Sequence, residues 1–234
     1  MILQIISGLS FLCAVTIFSI TKEENVPSIT KKRTDLGDFD WVIIIKALVP
    51  TLIIAVGAGL TIPFIGLFFY KIHGLDSDQF AILSAFATAI VFGVVLFVPI
   101  LKEKLGYKKA IPLTQIIAIA ALITLALTEI IDTWFAIYLA MAMYLLRQPL
   151  MNMAGPMTSD LVMKYVGEKN QEMMSALTAA VWSGSWFISS IIFQVLRQIG
   201  LQYVYVFLIT AGLYLFGVLM YYLLILDYEK KQLE

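Results

Sequence analysis

Arg147 is the residue whose type and place demand chemistry. It lies about fifteen residues into an apolar run at 133–157, where an uncompensated Arg costs about 2.5–3.5 kcal/mol on insertion scales. Such a side chain faces a bundle interior or a wet cavity, and its natural partner is an anionic solute group or an internal carboxylate. No acidic residue sits deep in the apolar runs of this chain, which favours the solute or a group from elsewhere. The competing reading is an Arg that snorkels to the headgroups, if the helix ends near Pro149. Beside it, Tyr144, Gln148 and Asn152 stand at i, i+4 and i+8, one helical face. That polar stripe suits a cavity lining, or hydrogen bonds between helices.

A second aromatic and polar set lies at 175–196. Trp182 and Trp186 share a face and could stack on an aromatic or cationic solute, while Ser183, Gly184, Ser185, Ser189 and Ser190 suit close helix packing. Ser183-Gly184-Ser185 does not make an intramembrane protease, because a serine nucleophile needs a nearby base and the one histidine, His73, falls in a distant turn. There is no HExxH pattern and no Gly-x-x-x-x-Gly-Lys loop. One cysteine, Cys13, and one histidine leave no metal-ligand set and no disulfide framework. The expectation is a chain that is not an enzyme, with no catalytic residues, no cofactor and no metal. Glu129 and Asp132 read as a solvated outer turn, and Asp160, Glu168 and Glu172 as loop charges.

The elements that must position these residues are membrane helices. The chain is 61% apolar and 14% charged, with mean hydropathy +0.91. A soluble domain of this size cannot hide that much apolar surface. Sixteen Lys and Arg balance sixteen Asp and Glu, so no electrostatic footprint for nucleic acid exists. Seven continuous apolar runs, roughly 2–20, 47–70, 80–101, 110–128, 133–157, 175–196 and 203–226, are long enough to cross a bilayer. Their continuity excludes the alternating pattern of barrel strands. The fold class is all-α, a polytopic helical membrane bundle whose surroundings are lipid. Thirteen of the sixteen positive charges fall in 21–46, 102–109, 164–169 and the tail. The positive-inside rule then puts the N-terminus outside and the C-terminus in the cytoplasm, consistent with a plasma (inner) membrane.

The chain divides into a lone helix at 1–20, a polar cytoplasmic linker at 21–46, two three-helix repeats at 47–128 and 129–226, and a tail at 227–234. The first helix of each repeat carries helix-disrupting residues: Gly57, Gly59 and Pro63 in one, Pro149 and Pro156 in the other. Interruptions at corresponding places in two repeats point to a transporter binding site and its hinges.

This arrangement resembles the major facilitator superfamily, in which two six-helix halves, each a pair of three-helix repeats, are joined by a cytoplasmic linker. The chain resembles the last helix of the N-terminal half, the linker and the six C-terminal helices. The segment from Pro99 to Lys109 is similar to a degenerate form of the family's loop motif Gly-x-x-x-Asp-Arg-x-Gly-Arg-Arg. Glu103 stands at the Asp, Lys104 at the first Arg and Gly106 at the Gly, while Pro99 and Tyr107 depart from the pattern. Gly57 to Gly66, followed by Gly74-Leu-Asp-Ser77, also resembles the opening helix of a half and its outer turn. The resemblance implies secondary transport of a small-molecule solute by alternating access, with Glu103, Lys104 and Gly106 in a cytoplasmic gate. It also implies that five helices are missing, so that this is part of a transporter with a missing or separate N-terminal half as partner. Two other classes remain: a non-transporting membrane scaffold, and a seven-helix receptor or sensor. The receptor lacks support, because no Asp-Arg-Tyr or Asn-Pro-x-x-Tyr motif occurs and the last span has no Lys.

Overall fold

The computed structural model describes residues 11–13, 15, 16 and 36–233. The span expected at 2–20 lies largely outside these, as does most of the linker. Residues 11–13, 15 and 16 are helical, with the Thr16 hydroxyl donating to the Cys13 carbonyl at 3.1 Å. Leu36–Asp38 forms a single 3-10 turn. They belong to a unit of their own, Met1–Asp38, and Phe39–Glu234 forms a second.

The second unit is all helix among its described residues. Helix α1, Trp41–Thr61, begins six residues before the apolar run because Asp40 caps it, its carboxylate accepting from the Ile43 N–H at 3.3 Å. It passes through Gly57 and Gly59 without interruption and gives way only at Ile62–Phe64, a 3-10 turn carrying Pro63. Proline disfavours helical geometry in the residue before it and has no N–H for the next turn. Helix α2, Ile65–His73, resumes and stops at Gly74, whose φ of 66° is open to glycine and whose N–H returns to the Phe69 carbonyl.

Helix α3, Ser77–Val95, opens with a capping box between Asp76 and Gln79. Helix α4, Val98–Leu127, is sharply kinked at Gly106, where φ is 64° and ψ is 173°. Only glycine occupies that region at low cost. Helices α5, Ala136–Val166, α6, Gln171–Gln198, and α7, Tyr203–Leu233, complete the unit. Two of the orphan N–H groups at the start of α7, those of Tyr203 and Val204, donate to the Glu129 carboxylate. Glu129 is therefore a helix cap rather than a bare turn charge.

Among the described residues, five helical segments are long and apolar enough to cross a membrane, and α5 is not among them. It is the helix that carries Arg147, Gln148 and Asn152. Its neighbours supply the apolar surroundings that its own sequence lacks. Helix α3 packs on α5, α5 on α4, α4 on α7, α7 on α1 and α1 on α6. Exchanging α1 for α5, α3 for α6 and α4 for α7 leaves this set of pairs unchanged. Helices α1 and α4 bury about half of their apolar windows, 56% each, whereas α3 and α6 bury 11% and 17%. The outer faces of α3 and α6, with Phe86, Phe92, Trp186 and Phe187, are exposed.

Close packing at α1 comes from its glycines. A Cβ at Gly57 would lie 3.0 Å from the Tyr214 ring, and one at Gly59 would lie 2.7 Å from the Ser189 Cβ. The Ser189 hydroxyl donates to the Val56 carbonyl at 2.9 Å across the same contact. In lipid, where apolar association has no water to expel, such close approach and interhelical hydrogen bonds hold helices together. Gly57 and Gly59 are thus contact points of α1, and the interruption in that segment is at Pro63. Pro149 and Pro156 sit inside α5, which runs through both.

Candidate functional site

Residues of α1, α3, α4, α5, α6 and α7 line a cavity of about 470 Å³. Arg147 is at its wall and is 1% exposed. It is eleven residues from Ala136 and nineteen from Val166, or about 17 Å and about 29 Å from the helix ends at 1.5 Å per residue. The snorkelling reading required the helix to end near Pro149. Because α5 continues to Val166 and buries Arg147, that reading fails.

The guanidinium has five N–H donors and no acceptor. One Nη1–H goes to Gln148 Oε1 at 3.2 Å and one Nη2–H to the Tyr214 hydroxyl at 3.4 Å. Its carbon lies 6.0 Å from the centre of the Tyr214 ring, at the edge of cation–π range. Nε has no partner. All these contacts are to neutral groups, and among the described residues the cavity lining holds no Asp, Glu, Lys or His. A permanently charged group is therefore buried with neutral oxygens alone, at a site with room for an anion.

Three buried side-chain nitrogen and oxygen atoms have no hydrogen-bond partner among the described residues: Arg147 Nε, Gln115 Oε1 and Thr178 Oγ1. All three residues line this one cavity. Buried polar groups are nearly always paired, so three residues with an unpaired, enclosed polar atom around one cavity set it apart from the rest of the bundle. On the far wall the Thr51 and Tyr221 hydroxyls are paired at 2.9 Å.

The other sequence candidates separate clearly. Gln148 and Asn152 line the cavity, with Asn152 Nδ2 donating to the Gln148 carbonyl at 2.8 Å. Tyr144 does not. It is buried among the Phe69 and Phe80 rings, with its hydroxyl 3.4 Å from Ser84. Trp182 and Pro156 line the cavity, while Trp186 stands outside it and is 40% exposed. Gln115, Thr178 and Tyr214 escaped the sequence reading. A polar residue inside an apolar run is the signal that could have found Gln115 and Thr178.

At the basic end, Glu103 and Lys104 are exposed. The polar cluster there is made instead by their neighbours on either side of the Gly106 kink. Asp160 of α5 accepts hydrogen bonds from Lys102, from the Tyr107 hydroxyl and from Lys164 at 3.3 Å. Lys164 also donates to the Tyr107 hydroxyl at 3.1 Å. Partial burial raises the Asp160 pKa, but the hydrogen bonds from Lys102, Tyr107 and Lys164 outweigh it and hold the carboxyl at about 2. Asp160 is thus the centre of an α4–α5 clasp and more than a loop charge. Lys108–Glu229 at 3.1 Å and Lys46–Asp227 at 3.9 Å tie α4 and α1 to α7 nearby.

The family model described as Major Facilitator Superfamily matches residues 1–190. No curated protein matches the chain.

Proposed function

This chain belongs to the major facilitator superfamily and is an integral membrane protein of small-solute transport; we propose that it works by alternating access, with Arg147 as the anchor for an anionic group of the solute. The observation that carries this is the buried guanidinium, held only by Gln148 and Tyr214, facing a cavity without a carboxylate. An anion placed there takes guanidinium N–H groups that Gln148 and Tyr214 leave unspent and neutralises the charge in a low-dielectric site. A cavity of about 470 Å³ is in the range for small-molecule sites.

The α3 and α6 faces that this bundle leaves bare pack against an N-terminal half, within the same polypeptide or a separate one. The pair exchange α1/α5, α3/α6, α4/α7 reflects two three-helix repeats, and the site lies between their first helices. The basic end is cytoplasmic, in a plasma (inner) membrane. There the clasp of Lys102, Tyr107, Asp160 and Lys164 around the Gly106 kink supports closure on the cytoplasmic side.

The test is charge movement in proteoliposomes on a solid-supported membrane, with the intact transporter and a panel of small carboxylates and phosphate esters. Wild type gives a current with at least one anion. Arg147→Gln gives none at equal protein density, while Arg147→Lys keeps part of it, because a point charge replaces the planar fork. Full currents from Arg147→Gln would end the anchor reading.

A further inference from the structure

We infer that Gly57 and Tyr214 are positioning residues for Arg147: the seam between α1 and α7 sets where the guanidinium stands, through a Tyr214 ring lodged against Gly57. The inference rests on Arg147 as the anion anchor and adds the contact that aims it.

The seam is antiparallel, and its register is fixed on both sides of the site. The Thr61 hydroxyl of α1 donates to the Thr210 hydroxyl of α7 at 2.8 Å, and the Thr51 and Tyr221 hydroxyls are paired at 2.9 Å. All four residues are buried. Hydroxyl pairs between membrane helices hold neighbours together where apolar surface cannot. Gly57 and Tyr214 face each other between these two bonds. A Cβ at Gly57 would lie 3.0 Å from Tyr214 Cε1 and 3.1 Å from Cδ1. The missing side chain of Gly57 is therefore the seat of the ring, and a methyl group there would displace the ring by a few tenths of an ångström.

From that seat the Tyr214 hydroxyl reaches Arg147. A guanidinium only donates, so the 3.4 Å bond runs from Nη2–H to the Tyr214 oxygen. The other bond goes to Gln148, the next residue of the same helix, and moves with α5. Among the described residues, Tyr214 is thus the hydrogen-bond partner that fixes the guanidinium relative to the other helices. A planar fork binds an anion well only when its plane is set. At 3.4 Å the bond is already longer than the usual N–H···O range, so the displacement that a methyl at Gly57 forces is enough to break it.

The test is nitrogen NMR of the full chain in detergent micelles, labelled at arginine. The chain has three arginines, Arg33, Arg147 and Arg197, so the Arg147 signals are assigned by their loss in Arg147→Gln. In wild type its two Nη groups give separate resonances, because a held fork turns slowly about the Nε–Cζ bond. In Tyr214→Phe, which keeps the ring and its seat, they merge. Gly57→Ala also merges them, and adding it to Tyr214→Phe changes nothing further. Gly59→Ala, whose Cβ meets α6 rather than α7, loses stability and keeps them separate. In proteoliposome currents with benzoate and phenyl phosphate as probes, Tyr214→Phe raises the half-saturating concentration about tenfold and keeps the maximal current. Separate Nη resonances in Tyr214→Phe, merging in Gly59→Ala, or an unchanged half-saturating concentration in Tyr214→Phe overturns the inference. If Gly57→Ala does not reach the membrane, Tyr214→Phe decides alone, and if neither probe carries a current the resonances decide. Full currents in Arg147→Gln, with the resonances still merging in Tyr214→Phe, remove the anchor reading alone: the seam then holds a guanidinium that no anion uses.

Discussion

Replacing Gly59 with alanine separates a packing glycine from a hinge, and the structure gives the size of the effect. Two terms oppose each other. Alanine stiffens α1 in the unfolded-to-folded balance and gains about 0.5–1 kcal/mol over glycine in a helix interior. The new Cβ would meet the Ser189 Cβ at 2.7 Å, its Oγ at 2.8 Å and the Ser185 carbonyl oxygen at 3.2 Å. None of these is the far end of a flexible side chain, so α1 and α6 must move apart. Overpacking of this kind costs about 1–3 kcal/mol, and it wins: Gly59→Ala is destabilised by about 1–2 kcal/mol net. The Ser189 bond to Val56, now 2.9 Å, would lengthen with it. Thermal unfolding in detergent, followed by tryptophan fluorescence, should show a midpoint lower by roughly 2–8 °C. The control is Gly184→Ala on α6, where a Cβ meets nothing within 4 Å and the helix term alone should raise the midpoint slightly. Combining Gly59→Ala with Ser189→Gly removes the Cβ–Cβ collision, so the double variant should lose less than the two singles added. If Gly59→Ala were as stable as wild type and instead slowed transport, the packing argument would be wrong and a hinge at Gly59 restored.

Two further outcomes follow from the site and the clasp. Trp182→Phe should abolish the fluorescence change on anion binding while Trp186→Phe keeps it, because only Trp182 lines the cavity; equal responses would refute the placement of α6. The Asp160 clasp should not titrate in the physiological range. Its carboxyl is held at about 2, below the ordinary 3.8, so its contribution is complete above 3.8 and fades only as pH falls through about 2. The Asp160 side chain is 36% exposed, so screening holds the clasp to about 0–1 kcal/mol. Asp160→Asn should therefore lower the unfolding midpoint slightly and by the same amount at pH 5 and pH 8; a difference that opens between those values would contradict the pairing.

The residues that act on the backbone were legible in the chain itself. Pro63 interrupts α1 because its ring removes an N–H and restricts the residue before it, whatever surrounds it. Gly74 and Gly106 stop or kink their helices through positive φ, again a local property. The continuous apolar runs announced a helical membrane bundle, since the bilayer leaves no other way to pair the backbone of such segments. Arg147 was legible for the same kind of reason, because a guanidinium in an apolar run needs a partner wherever the helix goes.

Tertiary structure decided what each helix face meets. In water, a buried face betrays itself by being more apolar than the opposite one. In a bilayer both lipid and protein interior are apolar, and that contrast nearly vanishes. The sequence could place Trp182 and Trp186 on a common face, yet only the packing of α6 against α1 puts one in the cavity and the other outside. It could mark Glu103 and Lys104 by their motif positions, but the Gly106 kink brings Lys102 and Tyr107 to Asp160 instead. Gly57 and Gly59 read as helix disruptors from composition, and became contact points only because Tyr214 and Ser189 pack against them. Most of all, Gln115, Thr178 and Arg147 are on three different helices, far apart in the chain. That these three residues line one cavity is a fact of three-dimensional assembly, and no spacing along the chain encodes it.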